Sequence, residues 1–194
     1  MIRPSRLLAV LPILSFALVP GRARSHGDAT AILAGGCFWG VEEVYEHVRG
    51  VRSVTSGYTD GLVEAVRIVY DPAEVSYREL LQVFFRIAHD PTSRDRQGPD
   101  AGPEYRAVVY YVDEAQQADA RRMVNELTTA HAYAKPIVTE IQPLGNFRVA
   151  EAYHQDYAAR HPNDPYIVIN DLPKLERLRR DFPRLFREQR AAAN

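Results

Sequence analysis

Cysteine and tryptophan are scarce in this sequence, and charge of neither sign is in excess. Among 194 residues there is one cysteine, Cys37, and one tryptophan, Trp39. A single cysteine excludes an internal disulfide, so the thiol is left unpaired within the chain. The formal net charge of −1 gives no general attraction to nucleic acid or to an anionic membrane surface. We therefore expect small neutral or peptide substrates and no nucleic-acid partner.

A long apolar run is also missing, apart from the extreme N-terminus. Residues 7–19 are apolar, but the run is shorter than the ~20 residues that cross a bilayer as a helix, and Pro12 interrupts it. Arg3 and Arg6 precede it and small residues follow it, which is typical of a secretory signal peptide over residues 1–25. An uncleaved membrane anchor is the alternative. We expect secretion to the periplasm, one domain over residues 26–194, and no membrane contact beyond the signal.

Cys37 follows two glycines at the junction between a predicted strand and a predicted helix. The positive end of a helix dipole stabilises an anion, so we expect the pKa of the Cys37 thiol to be lowered. In an exported protein an unpaired thiol is either bonded to another molecule or kept reactive. The alternative is a buried structural cysteine. The flanking glycines and the large aromatic side chains of Phe38 and Trp39 favour a reactive thiol.

Hydrophobic periodicity from residue 31 to residue 112 predicts the order strand, helix, strand, strand, helix, strand. This order is typical of a ferredoxin-like two-layer α+β sandwich with a β-α-β-β-α-β core, here followed by extra C-terminal elements. Gly50 is placed to cap the first helix, an Asp60-Gly61 turn joins two strands, and a capping box of Ser76 and Glu79 opens the second helix. The predicted strands are 31–34, 51–58, 64–70, 105–112 and 137–141, and the predicted helices begin near residues 37, 76, 113 and 171. Three glutamates fill the polar face of the first helix: Glu42, Glu43 and Glu46.

Glu64 begins a strand whose alternate residues Val66, Ile68 and Tyr70 form an apolar face. A carboxyl on such a face resists ionisation and can stay protonated near neutral pH. The alternative is an ordinary carboxylate at the end of a strand, and spacing alone does not decide between the two.

Three motifs in order resemble the A-type peptide methionine sulfoxide reductases: residues 36–40 (GCFWG), 64–71 (EAVRIVYD) and 100–106 (DAGPEYR). The resemblance covers essentially the whole mature chain. It implies an oxidoreductase that reduces methionine S-sulfoxide, free or in proteins, and so repairs oxidative damage. The implied site residues are Cys37 as nucleophile, Glu64 and Tyr105 as proton donors to the sulfoxide oxygen, Asp100 to hold the substrate or a catalytic water, and Phe38 and Trp39 to seat the substrate methyl group.

The chemistry gives independent reasons for these residue types. A sulfoxide sulfur carries partial positive charge, so a thiolate can attack it, but the oxygen leaves only when it is protonated. A nucleophile and a proton donor are therefore both needed, and Cys37 and Glu64 supply them. Aromatic faces such as those of Phe38 and Trp39 make favourable contacts with sulfur-bearing groups.

The turn before Glu64 departs from the family pattern. It is short, so an active-site tyrosine that the family's longer insertion contributes has no counterpart, and Leu62 stands where a histidine is usual. Either Tyr58 takes over part of that role, or protonation of the oxygen rests on Glu64 and Tyr105 alone.

A second, resolving cysteine is also missing, and residues 163–170 resemble the subgroup of the family without one. A sulfenic acid formed on Cys37 must then be reduced by an external thiol, from a thioredoxin-like protein or a small molecule. We expect no bound cofactor and a monomeric protein.

Other classes of protein stay open at this stage. A thiol peroxidase, or a Cys-His hydrolase using His89, would also need a reactive Cys37. A weakly active module that binds oxidised methionine is a further alternative. Glu151 and His154 are spaced as metal ligands on a helix, but no third ligand follows at suitable spacing, so we predict no metal site.

Overall fold

A six-stranded sheet forms the centre of the computed structural model, which describes residues 27–59 and 61–191. The predicted α+β class is confirmed. Strands follow the order β7-β6-β1-β3-β2-β8, and neighbours are antiparallel except for β6 and β7, which are parallel. A separate two-stranded ribbon pairs β4 with β5. The strands are β1 (Ala29–Gly35), β2 (Val51–Thr59), β3 (Glu64–Tyr70), β4 (Arg96–Gln97), β5 (Asp100–Ala101), β6 (Ala107–Tyr111), β7 (Glu140–Pro143) and β8 (Phe147–Val149).

Within the described residues, five α-helices accompany the sheet, and side-chain caps begin two of them. The Ser76 hydroxyl accepts a hydrogen bond from the N–H of Glu79, whose carboxylate accepts one from the N–H of Ser76, so the predicted capping box is confirmed. Asp113 caps a later helix by accepting from the N–H of Gln116. The helices are α1 (Phe38–Glu46), α2 (Tyr77–Val83), α3 (Glu114–Thr129), α4 (Tyr157–Arg160) and α5 (Leu172–Asp181); π-helical turns cover Phe84–Ala88 and Ile167–Asp171, and a 3-10 turn covers Pro103–Tyr105. No helix in the described ranges is long and apolar enough to span a bilayer.

Apolar side chains lie on both faces of the sheet, because strand side chains alternate in direction. The larger apolar cluster joins Leu33, Val66 and Ile68 of the sheet to the helices, while a smaller cluster on the other face contains Ile32 and Ala65. Helix α1 lies within the larger cluster, and eight of its nine residues are buried. The glutamates that we took for its polar face are among them, with Glu46 at 0% exposure. This face is therefore covered by protein and needs charged partners.

Several boundaries differ from the predictions for local reasons. Helix α1 ends at Glu46, and Gly50 instead makes the turn into β2 with φ of +85°. Tyr105 belongs to the 3-10 turn before β6, because Pro103 favours the start of a helical turn. The strand predicted at 137–141 begins only at Glu140, since the N–H of Val138 bonds to the Pro91 carbonyl outside the sheet. The predicted signal peptide and Asp60 lie outside the described residues.

We predict that Ser76→Ala lowers the free energy of unfolding by about 1 kcal/mol, because α2 then loses the hydrogen bond that the Ser76 hydroxyl accepts from the N–H of Glu79. Urea unfolding of the two proteins measures this difference. Ser93→Ala, which removes a hydroxyl that caps none of the described helices, should change the unfolding midpoint little. Equal losses in the two variants would contradict the assignment of the cap.

Candidate active site

Cys37 lies at the N-cap position of α1, and one residue separates it from the end of β1 at Gly35. The turn between them depends on Gly36, whose φ of +86° falls in the left-handed region that favours glycine. A Cβ on Gly36 would also overlap the side chain of Gln97. The thiol is partly buried. Strand end and helix start thus hold one sulfur at the edge of the sheet, with the first N–H groups of α1 beside it.

The acidity of Cys37 differs from our expectation. Partial burial of the thiol, together with the nearby carboxylates of Glu64 and Asp171, raises its pKa to about 12. A hydrogen bond with the Tyr166 hydroxyl and one with the backbone at Trp39 lower it, but by less. The expected lowering is therefore wrong for the free site, because desolvation and negative charge outweigh the helix terminus.

Glu64 faces the N-terminus of α1 from the first position of β3. Its Oε2 accepts a hydrogen bond from the N–H of Phe38, with an N to O distance of 3.0 Å. Burial, followed by the charges of Asp100 and Glu104, raises the pKa of Glu64 to about 7, although the bond from Phe38 opposes the shift. The carboxyl is thus partly protonated near neutral pH and lies beside the backbone that carries the thiol.

Tyr105 and Asp100 lie close enough to Glu64 to interact with it electrostatically. Burial raises the pKa of Tyr105 to about 12, and the charges of Glu64, Asp100 and Cys37 add to this shift. Tyr105 therefore keeps its proton at neutral pH and can donate it as a hydrogen bond. Asp100 accepts a hydrogen bond from the Tyr166 hydroxyl.

Tyr166 is a site residue that the sequence analysis missed. Its hydroxyl contacts both the thiol of Cys37 and the carboxylate of Asp100. Burial, then the charge of Cys37 and the bond to Asp100, raises its pKa well above the ordinary value. Tyr166 lies in the segment 163–170, which we noted only for its lack of a cysteine. Its position just before a π-helical turn gives no periodic signal that would have identified it.

Trp39 lies in a group of aromatic rings contributed by three segments of the chain. The Tyr157 ring stacks on the indole with a centroid separation of 3.7 Å and an interplanar angle of 10°, and the Tyr166 ring meets it edge-on. The indole Nε1–H donates to Nδ1 of His154 at 3.2 Å. Phe38 is 1% exposed and contacts the His154 ring edge-on. Trp39 is therefore the accessible aromatic surface, and Phe38 supports it from the core.

Tyr157 and His154 were also missed, although the sequence carried a weak signal for them. Residues 147–157 are rich in aromatic and polar side chains without a helix or strand period. Such a segment is hard to explain as scaffold, and the structure places it against Trp39. His154, which we weighed as a metal ligand with Glu151, accepts from the indole, while Glu151 accepts from the Tyr58 hydroxyl.

Tyr58 and Leu62 flank the shortened turn between β2 and β3. The Tyr58 ring lies 5.5 Å from that of Phe38, and its hydroxyl donates to Glu151 at 3.3 Å. Burial and the charges of Glu151 and Glu64 raise its pKa to about 12. Leu62 is 64% exposed with φ of +64°. The Tyr58 hydroxyl is thus engaged away from the thiol, and Leu62 points to solvent.

A cavity of about 250 Å³ opens beside Cys37, lined also by Asp100, Tyr166 and His89. Both ring nitrogens of His89 are already hydrogen-bonded, Nδ1 to the Phe84 carbonyl and Nε2 to the Thr139 hydroxyl, each at 2.9 Å. Burial lowers the pKa of His89 to about 4. The imidazole is therefore neutral and held by the scaffold, which disfavours its use as a base for Cys37.

Comparison with known proteins identifies the class of enzyme. The family model described as peptide methionine sulfoxide reductase matches residues 29–185. Peptide methionine sulfoxide reductase MsrA 2 of Mesorhizobium japonicum is 44% identical over 179 residues, which cover 84% of this chain and 92% of that protein. The chain belongs to the peptide methionine sulfoxide reductase family and is an oxidoreductase.

Solved structures agree with this assignment. Mxr1 of Saccharomyces cerevisiae in reduced form superposes with a TM-score of 0.64 at 30% identity, over 71% of this chain and 87% of that one. The same yeast protein in complex with Trx2 gives a TM-score of 0.50 at 28% identity, over 68% and 85% of the two chains.

We predict that Glu64→Gln speeds alkylation of Cys37 by iodoacetamide at pH 8, by roughly three- to tenfold. The ionised carboxylate of Glu64 raises the pKa of the thiol, so its removal increases the thiolate fraction. Mass spectrometry of timed samples measures the rate. Glu74→Gln, an exposed carboxylate on the loop before α2, is the control and should leave the rate unchanged. A slower reaction in Glu64→Gln would contradict the assigned coupling.

Proposed function

We propose that this protein reduces methionine S-sulfoxide, free or in proteins, to methionine, with Cys37 as the nucleophile. The observation that carries the proposal is the pairing of one partly buried thiol with a carboxyl whose pKa is about 7, joined through the N–H of Phe38. A sulfoxide needs attack at sulfur and protonation at oxygen in the same step. Membership of the family supports the substrate class and implies the S epimer.

The substrate methyl group is expected to lie against Trp39. The indole is half-buried and held on one face by the stacked Tyr157 ring and at its N–H by His154. A ring fixed in this way offers an apolar surface of defined orientation to a sulfur-bearing group. Phe38, at 1% exposure, acts by supporting this surface more than by direct contact.

The chemical step conserves atoms and electrons. The sulfur of Cys37 attacks the sulfoxide sulfur, Glu64 delivers its proton to the oxygen, and the thiol proton replaces the one that Glu64 has lost. The sulfur–oxygen bond of the substrate breaks, and the oxygen is left on Cys37 as a sulfenic acid while methionine departs. Two electrons pass from the cysteine sulfur to the substrate sulfur.

The raised pKa of Cys37 is compatible with this step. The step requires Cys37 as a protonated thiol and Glu64 as a protonated carboxyl. Both groups carry their protons below about pH 7. A pocket that holds the thiol protonated until the substrate oxygen accepts a proton avoids an uncompensated buried thiolate. Positive charge that develops on the protonated substrate would then favour the thiolate at the moment of attack.

Tyr105 and Tyr166 are the remaining hydrogen-bond donors to the oxygen. Both keep their protons at neutral pH, because burial raises their pKa values. Asp100 accepts from Tyr166 and so orients that hydroxyl next to Cys37. We infer that Tyr166, whose hydroxyl contacts Cys37, supplies the second tyrosine that the shortened turn lacks, by turning its proton from Asp100 to the substrate oxygen. The Tyr58 hydroxyl bonds to Glu151, away from the thiol.

Recycling of Cys37 requires an external thiol, because the chain has a single cysteine. A donor thiol attacks the sulfenic acid and releases water, which leaves a mixed disulfide on Cys37. A second thiol, on the same donor protein or on another small molecule, then releases the reduced enzyme. The yeast relative crystallised with Trx2 supports a thioredoxin-like protein as donor.

The finer features of the chain are also inferred. The order β6-β1-β3-β2 of the four central strands supports a ferredoxin-like core within the wider sheet. The charge and hydropathy of residues 1–25 support an exported, periplasmic protein with a mature domain from residue 26. We further propose that this domain acts as a monomer.

We predict that kcat/KM for an S-sulfoxide peptide is level at low pH and falls as the pH rises through about 7, because the protonated form of Glu64 is required. Glu64→Gln should abolish this decrease of kcat/KM with pH and lower kcat by roughly 10²- to 10⁴-fold. Chromatographic assay with excess dithiothreitol measures both effects.

Glu104→Gln is the matched control for that experiment. Its carboxylate raises the pKa of Glu64, so its loss should move the falling limb to slightly lower pH and keep the activity. A profile that is the same in Glu64→Gln and wild type would remove Glu64 from the proton-transfer step. Turnover that survives Cys37→Ser would remove the nucleophile, and binding without turnover would favour a binding module.

We also predict a single turnover without reductant. One equivalent of methionine should form per protein, and Cys37 should then react with dimedone as a sulfenic acid. Peptide mapping detects the adduct, and Cys37→Ser provides the blank. Release of several equivalents would require a source of electrons other than Cys37. Consumption of peroxide in place of the sulfoxide, with the same adduct, would favour the peroxidase alternative.

A further inference from the structure

The segment 186–191 packs along the C-terminal end of α1 and lies beyond the residues 29–185 that match the family model. The N–H of Arg187 bonds to the His47 carbonyl, and the N–H of Ala191 bonds to the Glu46 carbonyl, at 2.9 and 2.8 Å. These bonds satisfy carbonyls that a helix end leaves without partners. The segment therefore has a defined path, and this path brings Arg190 to the buried acidic face of α1.

The guanidinium of Arg190 joins three carboxylates from two parts of the chain. It bonds to Glu46, whose side chain is 1% exposed, and lies 3.6 Å from Glu43. Its Nη2 also donates to Oδ1 of Asp156 at 3.0 Å. His47, the residue after the end of α1, lies 3.2 Å from Glu43. A planar guanidinium can bridge separate carboxylates in this way, whereas a lysine ammonium is a point charge.

Asp156 is held on a second side by α1. Its backbone N–H donates to Oε2 of Glu42 at 2.9 Å, and its φ of +53° is unusual for a residue other than glycine. Such a conformation persists only where the surroundings enforce it. Arg190 and Glu42 together supply that enforcement. Without the guanidinium, Asp156 would face the carboxylates of α1 with no cation between them.

The residues on either side of Asp156 are the ones that hold Trp39. Tyr157 follows directly and stacks on the indole, and His154, two residues earlier, accepts the indole N–H. A change in the backbone at Asp156 therefore moves both groups together. The path from Arg190 to Trp39 passes through one backbone segment, 154–157, and needs no rearrangement of Cys37 or Glu64.

We infer that Arg190 is a positioning residue for the substrate site: through its bond to Asp156 it sets Tyr157 and His154 against Trp39. The inference rests on the proposed function in assigning the substrate methyl group to Trp39. The arrangement of the rings themselves does not depend on that assignment. The segment 186–191 thus acts on substrate binding from outside the family-matched part of the chain.

The test uses Trp39 as its own reporter, because it is the only tryptophan in the sequence. In Arg190→Gln, without substrate, we expect the indole emission to shift to longer wavelength as the stacked ring and the His154 bond loosen and water reaches Trp39. In turnover, we expect KM for an S-sulfoxide peptide to rise roughly three- to tenfold while kcat changes less than about twofold. A purely structural role would lower stability without this split between KM and kcat.

Three further variants keep the inference open to contradiction. Arg184→Gln removes an exposed arginine that lies shortly before Arg190 in the sequence, and it should change neither the emission nor KM. Arg190→Lys should recover part of both effects, since the charge is kept but the bridging geometry is lost. In an Asp156→Asn background, Arg190→Gln should have a smaller effect on emission, because the two residues act through one contact. If Arg190→Gln does not fold, Arg190→Lys and Asp156→Asn carry the test.

The outcomes separate this inference from the proposed function. If wild type reduces the sulfoxide and Arg190→Gln matches it in emission and KM, the positioning role is wrong. Full additivity of Arg190→Gln and Asp156→Asn would also overturn it. If emission shifts as expected but wild type does not reduce the sulfoxide, the positioning of Trp39 stands and the proposed function fails.

Discussion

One hydrogen bond, from the N–H of Phe38 to the carboxyl of Glu64, connects the two halves of the site. The donor is among the first N–H groups of α1, which have no partner within the helix, and the acceptor begins β3. The bond therefore fixes the distance between the helix that carries Cys37 and the strand that carries the acid. It also opposes the effect of burial on Glu64, so the carboxyl titrates near neutrality and not far above it. Position and acidity thus depend on the same contact.

The electrostatics around this contact favour retention of protons. Glu64 and Asp171 place negative charge near the thiol, and Asp100 does so near Glu64 and Tyr105. No metal-binding group of three His, Cys, Asp or Glu side chains occurs among residues 27–59 and 61–191. A helix terminus alone would favour a free thiolate, but here burial and the carboxylates outweigh it. Such a site suits a substrate that must receive a proton before it reacts. Hydrolysis of a peptide bond or a thioester would instead need an ionised nucleophile and a base that can exchange protons with it. His89 does not fit the role of that base, because both of its ring nitrogens are hydrogen-bonded to the scaffold.

Sequence patterns predicted the features that depend on local chemistry. The strand of Glu64, the capping box at Ser76 and the position of Cys37 at a helix start all follow from short-range rules and match the structure. Features that depend on distant contacts were not predictable. The polar face of α1 is indistinguishable from a solvated face until the C-terminal segment is placed on it, and Tyr166 reaches Cys37 from 129 positions away in the sequence. The predicted lowering of the pKa of Cys37 was wrong for the same reason, since burial is a property of the assembled fold.

The packing of residues 186–191 against α1 has a consequence for the catalytic cycle as a whole. A resolving cysteine near the C-terminus would have to approach the buried sulfur, and such a segment could not also be anchored to α1 by backbone hydrogen bonds. Here backbone hydrogen bonds from Arg187 and Ala191 hold the C-terminal segment against α1, and the segment brings no thiol to Cys37. In the proposed cycle, the rate at which Cys37 recovers then scales with the concentration of donor thiol that reaches the pocket, and so depends on the cell more than on the fold.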